Sequence, residues 1–140
     1  MALNATLNPR VAACRHSTSV GDAFEVMTEL AAKGAQYDIV VIDPPSFAVT
    51  AADVKRGLAS YARLTKLGVR LVSNGGVLVQ ASCTARITMD MLESAVVTAA
   101  RGTGCRFEVF DCTEHALDHP VRFPEGAYLK AVYARVYRRK

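Results

Sequence analysis

Several residues stand where an apolar run gives way to a turn, and their side chains are of types that do chemistry. Asp43 closes the run in "VVIDPPSFAV". Pro44 and Pro45 cannot donate to a strand ladder and fix φ, so the run must stop there and present a carboxylate at its end. Such a carboxylate accepts hydrogen bonds from an amino group or a cationic ligand, although Asp-Pro-Pro also serves simply as a turn. Cys83 follows "VLVQAS". Its thiol is a nucleophile if its neighbours favour the thiolate, and a small apolar filler if they do not. Asp22 in "VGDAF" either caps a helix or accepts a hydrogen bond from a ligand's amino group. His119 lies in "DHPVRFPEGAYLK", a loop shaped by prolines and a glycine, to which the pattern assigns no chemistry. His16 and His115 show no ligand spacing, and no metal site is expected.

The elements that must position these groups alternate along the chain. "RVAACRH" reads as a short strand, and "GDAFEVMTELAAKG" as a helix with Phe24, Met27, Leu30 and Ala31 on one face and Gly34 as its stop. "YDIVVID" is apolar on both sides, which suits a strand covered by helices on both faces. A helix from about Ala51 carries Val54, Leu58, Tyr61, Ala62 and Leu71, "SNGG" ends it, and "VLVQASC" forms the next strand. "TMDMLESAVVTAARGTG" places Met89, Leu92, Val96 and Ala99 on one helical face. "CRFEVFDC" and "YLKAVYARVYR" close the chain as strands. The order β-α-β-α-β-α-β-β over residues 1–140 implies one α/β domain, a mostly parallel sheet with a closing antiparallel hairpin. Ligands of such sheets bind outside the carboxyl ends of the strands, where Asp43 and Cys83 fall on neighbouring strands.

Composition agrees with a globular domain: 140 residues, 51% hydrophobic, 21% charged and no Trp. The longest apolar runs fall well short of the roughly 20 residues of a membrane helix. "MALNATLNPR" lacks the basic and apolar regions of a secretory signal, so a cytoplasmic location is expected. Four cysteines without a C-x-x-C pair argue against a disulfide framework, and Cys14, Cys105 and Cys112 are expected to be packed within strands. The net charge of +4, partly gathered in "YARVYRRK", suits either a nucleic-acid partner or a frayed basic tail.

Three stretches, "GDAFEVMTELAAKGAQYDIVVIDPPSFA", "YARLTKLGVRLVSNGGVLVQASCT" and "DHPVRFPEGAYLKAVYARV", together resemble one family. It is the class I S-adenosylmethionine-dependent methyltransferases, in the branch that makes 5-methylcytosine in large-subunit ribosomal RNA. The resemblance implies a Rossmann-like sheet, S-adenosylmethionine as cofactor and ribosomal RNA as partner. Asp22 looks like the residue that holds the cofactor's adenine amino group, with Ala23 beside it. Asp43 looks like the residue between methyl donor and target base, with Pro44, Pro45 and Phe47 shaping the base pocket and His119 on the substrate side. Cys83 looks like the catalytic thiol, adding to C6 of cytosine so that C5 can take the methyl group. A base in RNA must leave its stack to be reached in this way.

The sequence also departs from the family. The strand and glycine-rich loop for the cofactor's methionine end, and the following strand with an acidic residue for its ribose, do not occur in it. "MALNATLNPR" resembles the helix after that acidic residue, so the chain is expected to begin inside the family's domain. Without those two strands "IVVID" becomes a sheet edge with unpaired backbone groups, which invites a homodimer. Two other functions stay open at this point. One is methyl transfer to an amino group, as in enzymes with related DPPY motifs; the other is a non-catalytic interaction module that keeps only the target-side half.

Overall fold

The computed structural model describes residues 6–123 and 126–138. The start of "MALNATLNPR", Pro124 and Glu125 of "FPEG", and Arg139 and Lys140 of the basic tail lie outside them. The elements are helix α1 (Pro9–Ala12), helix α2 (Ala23–Ala32), strand β1 (Tyr37–Ile42), a 3-10 turn (Ala51–Asp53), helix α3 (Val54–Leu71), strand β2 (Val72–Ser82), helix α4 (Met89–Arg101), strand β3 (Arg106–Thr113) and strand β4 (Lys130–Tyr137).

Local chemistry sets most of these boundaries. Asp22 Oδ1 accepts from the N–H groups of Phe24 at 2.8 Å and Glu25 at 3.2 Å, filling two of the donors that a helix start leaves open. At the other end of α2, Gly34 takes φ 72°, which admits the paired bonds Gly34 N–H to Ala31 O and Ala35 N–H to Leu30 O. The stop expected at Gly34 is therefore a left-handed helix cap. Thr88 caps α4 through Met91 N–H, and the face of Leu92, Val96 and Ala99 is buried as its spacing requires.

The sheet order is β1-β2-β4-β3. β1 pairs parallel with β2, while β4 pairs antiparallel with both β2 and β3. Three strands thus run one way and β4 runs against them, the mostly parallel sheet with a closing hairpin that the sequence implies. β1 is an edge, again as expected.

Helices α3 and α4 pack on the face bearing Ile42, Leu78, Val132, Ala134 and Val136, which form one core with Tyr61, Leu64, Leu92 and Val96. Each fully buried aliphatic side chain contributes about 1.5–3 kcal/mol of transfer free energy, so this layer dominates the stability. The close approach depends on Gly68, where a Cβ would stand 2.7 Å from Ile42 Cδ1 and 2.8 Å from Leu78 Cδ1.

Four expectations need correction. "RVAACRH" is no strand: Asn8 Oδ1 accepts from Arg10 N–H, Pro9 sits at the first helical position, and α1 forms instead. Cys14 follows that helix, its N–H donating to Val11 O, and is exposed rather than packed. Cys112 is exposed too, although its partner across β4 is the buried Val132. β1 is covered on one face, not two: Ile39 and Val41 are each 64% exposed and Phe110 is 56% exposed on the opposite side. Finally, "SNGG" does not separate helix from strand. β2 starts directly at Val72, and its pairing with β1 shifts register between Tyr37 and Ile39, with Gly75 at φ 81°.

Candidate active site

The carboxyl ends of β1 and β2 are held together by side chains that neither strand pattern announces. Gln80 is fully buried, and its Nε2 donates to Ile42 O at 3.4 Å and Ala81 O at 3.2 Å, while its Oε1 accepts from Thr65 Oγ1 at 3.3 Å. A buried amide must be satisfied, and satisfying this one pins the last residue of β1 before Asp43. Beyond the strands, segment 44–49 lies along segment 82–86. The Cys83 thiol donates to Pro44 O at 3.8 Å, the Ser46 and Thr84 hydroxyls meet at 3.1 Å, and Arg86 Nε donates to Val49 O at 2.9 Å. From below, the buried Tyr61 hydroxyl donates to Ser82 Oγ at 2.8 Å and lies 3.2 Å from Thr84 Oγ1.

Within this frame Asp43 is exposed, and its carboxylate has no hydrogen bond or ion pair among the described residues. It borders two hollows. One, about 310 Å³, lies between α2 and the edge strand and is lined by Ala23, Met27, Ile39, Val41, Asp43 and Pro44. The other, about 580 Å³, opens on the uncovered sheet face and is lined by Asp43, Glu114, His115, Leu129, Lys130 and Tyr133, among others. Each is large enough for a heterocycle.

The sequence candidates therefore divide. Ala23, Asp43 and Pro44 share the first hollow, and Asp22 adjoins it as the cap of α2, with Oδ1 occupied by amides and Oδ2 without a partner among the described residues. Cys83 stands beside the Asp43–Pro45 rim, half-buried. Phe47 turns inward, edge-on to Tyr61 with ring centroids 5.1 Å apart. His119 is one layer behind the second hollow: it stacks on His115 at 5.0 Å, and His115 Nε2 accepts from Leu129 N–H at 3.0 Å. Among the described residues no group of three His, Cys, Asp or Glu side chains is placed to hold a metal, and no helix is long and apolar enough to cross a membrane.

Lys130 was not singled out by sequence. It is 3% exposed, with Nζ donating to Thr84 O and to Tyr128 O, each at 2.8 Å. Burial pushes its amine below the ordinary lysine value, and the nearby Glu114 carboxylate and Cys83 side chain pull it back up. The available signal was a lysine opening the mostly apolar strand run "KAVYARV". Tyr61, Gln80 and Thr84 carried no such signal, because their roles rest on partners distant in sequence.

No family model matches the chain. Among curated proteins it is 38% identical over 133 residues to a ribosomal RNA large subunit methyltransferase of Deinococcus radiodurans, covering 95% of this chain and 32% of that protein. It is 32% identical over 116 residues to ribosomal RNA large subunit methyltransferase I of Aeromonas salmonicida, covering 81% of this chain and 29% of the relative. The chain thus spans about a third of the length of the curated relatives it matches. Among solved structures it superposes on SMU.776 complexed with SAH, with a TM-score of 0.69 at 23% identity, covering 84% of this chain and 30% of that one. A methyltransferase homolog protein from Pyrococcus horikoshii gives 0.61 at 17% identity, covering 95% and 48%. The fold is that of the Rossmann-like class I methyltransferases.

Proposed function

We propose that this chain carries the target-side half of an S-adenosylmethionine-dependent RNA methyltransferase site, acting on C5 of a cytosine in large-subunit ribosomal RNA through an adduct at Cys83. The observation that carries this is the pairing of Cys83 with Pro44 O at 3.8 Å, which sets a thiol beside an unpartnered carboxylate at the ends of adjacent parallel strands. The relatives in Deinococcus and Aeromonas support the class of reaction and of substrate.

The residues present fit the adenine and donor end of the cofactor. The hollow beside Ala23 is largely apolar, with Asp43 at its mouth and the free oxygen of Asp22 nearby to accept from an amino group. S-adenosylmethionine, when bound, supplies the electrophilic methyl group. The chain's own residues do the rest. Asp43, between the two hollows, accepts a hydrogen bond from the cytosine amino group and fixes the ring. Pro44 and Pro45 form a stiff rim for the unstacked base, and Phe47, anchored on Tyr61, keeps that rim against β2. The Cys83 thiolate adds to C6, and the electron pair of the C5–C6 bond makes C5 nucleophilic. After C5 is methylated a base takes the C5 proton, its bonding pair re-forms the C5–C6 double bond, and the thiolate is expelled.

Thiol addition to C6 by itself makes the C5 proton exchangeable, which gives a test that does not depend on the methyl donor. A large-subunit RNA fragment tritiated at cytosine C5 is expected to lose tritium to water in the presence of this chain. Cys83→Ala should reduce the release to background. No release by the unaltered chain, with methylation of an exocyclic amine by Cys83→Ala, would overturn the C5 assignment in favour of amino-group transfer.

A further inference from the structure

Lys130 is the one buried cation of the described residues, and its amine joins two segments that the proposed reaction must keep in register. It opens β4 directly across from Ser82, the residue before Cys83. Its Nζ bonds to Thr84 O, 46 positions away in sequence, fixing the peptide on the far side of Cys83. The second bond, to Tyr128 O, fixes the end of the loop that carries the His115–His119 stack. Both acceptors are neutral carbonyls, so the ammonium charge is not neutralised by the groups it bonds. No carboxylate lies within ion-pair distance of it among the described residues. Its charged surroundings are Glu114 from the loop after β3 and the Cys83 side chain from the end of β2. Asp43 from the end of β1 and His115 share its hollow. A lysine kept almost wholly out of water without a carboxylate partner is costly, and the costs of burial are tolerated where the charge is used.

We propose that Lys130 is a positioning residue for Cys83: it holds the 82–84 turn through Thr84 O and is the cationic counter-charge of the thiolate, coupling the target-side loop to the nucleophile. This rests on the assignment of Cys83 as nucleophile, but it is tested without RNA, so its failure is separable from failure of the tritium-release experiment. Folded protein is alkylated with iodoacetamide, which is neutral, and with iodoacetate, which is anionic. In each case the thiolate sulfur displaces iodide, and modification of Cys83 is read by peptide mass spectrometry against the exposed Cys14 as internal reference. A positive charge beside the sulfur favours the anionic reagent, whereas a change in access alone alters both reagents together. Lys130→Met is expected to lower the iodoacetate-to-iodoacetamide ratio at Cys83 by about threefold, and Lys130→Arg to keep it. Where Lys130→Met does not fold, Glu114→Gln serves in its place: removing the carboxylate that competes for the ammonium should raise the ratio. An unchanged ratio in folded Lys130→Met, or, where that variant does not fold, in Glu114→Gln, would overturn the proposal.

Discussion

The hydroxyl of Tyr61 shows how much of the site is decided by single polar atoms. It is wholly buried and donates to Ser82 Oγ, which in turn accepts from Thr84 N–H at 3.2 Å. Tyr61→Phe keeps the ring against Phe47 and deletes only the donor, leaving Ser82 and Thr84 short of one partner. A loss of about 1–3 kcal/mol in urea denaturation is expected, with cooperative unfolding retained. A loss below 0.5 kcal/mol, on the order of the effect of a surface change, would mean that water replaces the hydroxyl. Cys112 provides a second check. Burial first, then the charges of Glu93 and Asp111, raise its thiol above the ordinary value. Its alkylation is therefore expected to rise at higher pH than that of an unperturbed cysteine, and Asp111→Asn should move the profile back down.

At the scale of elements, the two strands that carry the site are locked by a glycine. A Cβ at Gly76 would stand 2.7 Å from Asp38 O, a backbone atom of β1 that cannot move without shifting the strand. Gly76→Ala is expected to cost about 1–3 kcal/mol as overpacking, seen as a lower denaturation midpoint. It should also loosen β1 at Tyr37–Ile39, where the register already shifts. The entry to α3 has a pH-dependent lock. The Asp53 carboxylate accepts from Thr50 Oγ1 at 2.6 Å and Thr50 N–H at 3.0 Å and pairs with Arg56, and these hold its pKa below 3.8. The folded state thus binds fewer protons here than the unfolded one, so this contribution is present above pH 3.8 and is lost as pH falls through the lower folded value. Asp53→Asn should flatten that part of the acid limb of stability against pH.

For the whole molecule the open edge of β1 is the feature with consequences. Ile39 and Val41 are apolar and largely exposed, and the outer backbone groups of β1 have no strand beside them among the described residues. We propose self-pairing through that edge, and sedimentation at micromolar concentration is then expected to show a dimer. Ile39→Lys places like charges across such a pairing and should yield a monomer of unchanged midpoint. A monomeric unaltered chain would remove the edge-pairing proposal.

Much of this architecture was legible in the sequence because it is local. Apolar spacing set the half-buried face of α2 and the buried face of α4, Gly34 the stop of α2, and Pro44 with Pro45 the end of β1 before Asp43. The failed strand at "RVAACRH" is instructive: a short apolar run is ambiguous, and only a neighbouring strand could have made it one. Tertiary structure alone decided which sheet face was covered, that Gln80 would tie off β1, and that an amine 46 positions from Thr84 would close the turn behind Cys83. Those outcomes depend on contacts between segments distant in the chain, for which residue type and spacing carry no signal. The sequence by itself determined which groups could react, and the packing of β1, β2 and β4 decided which of them meet.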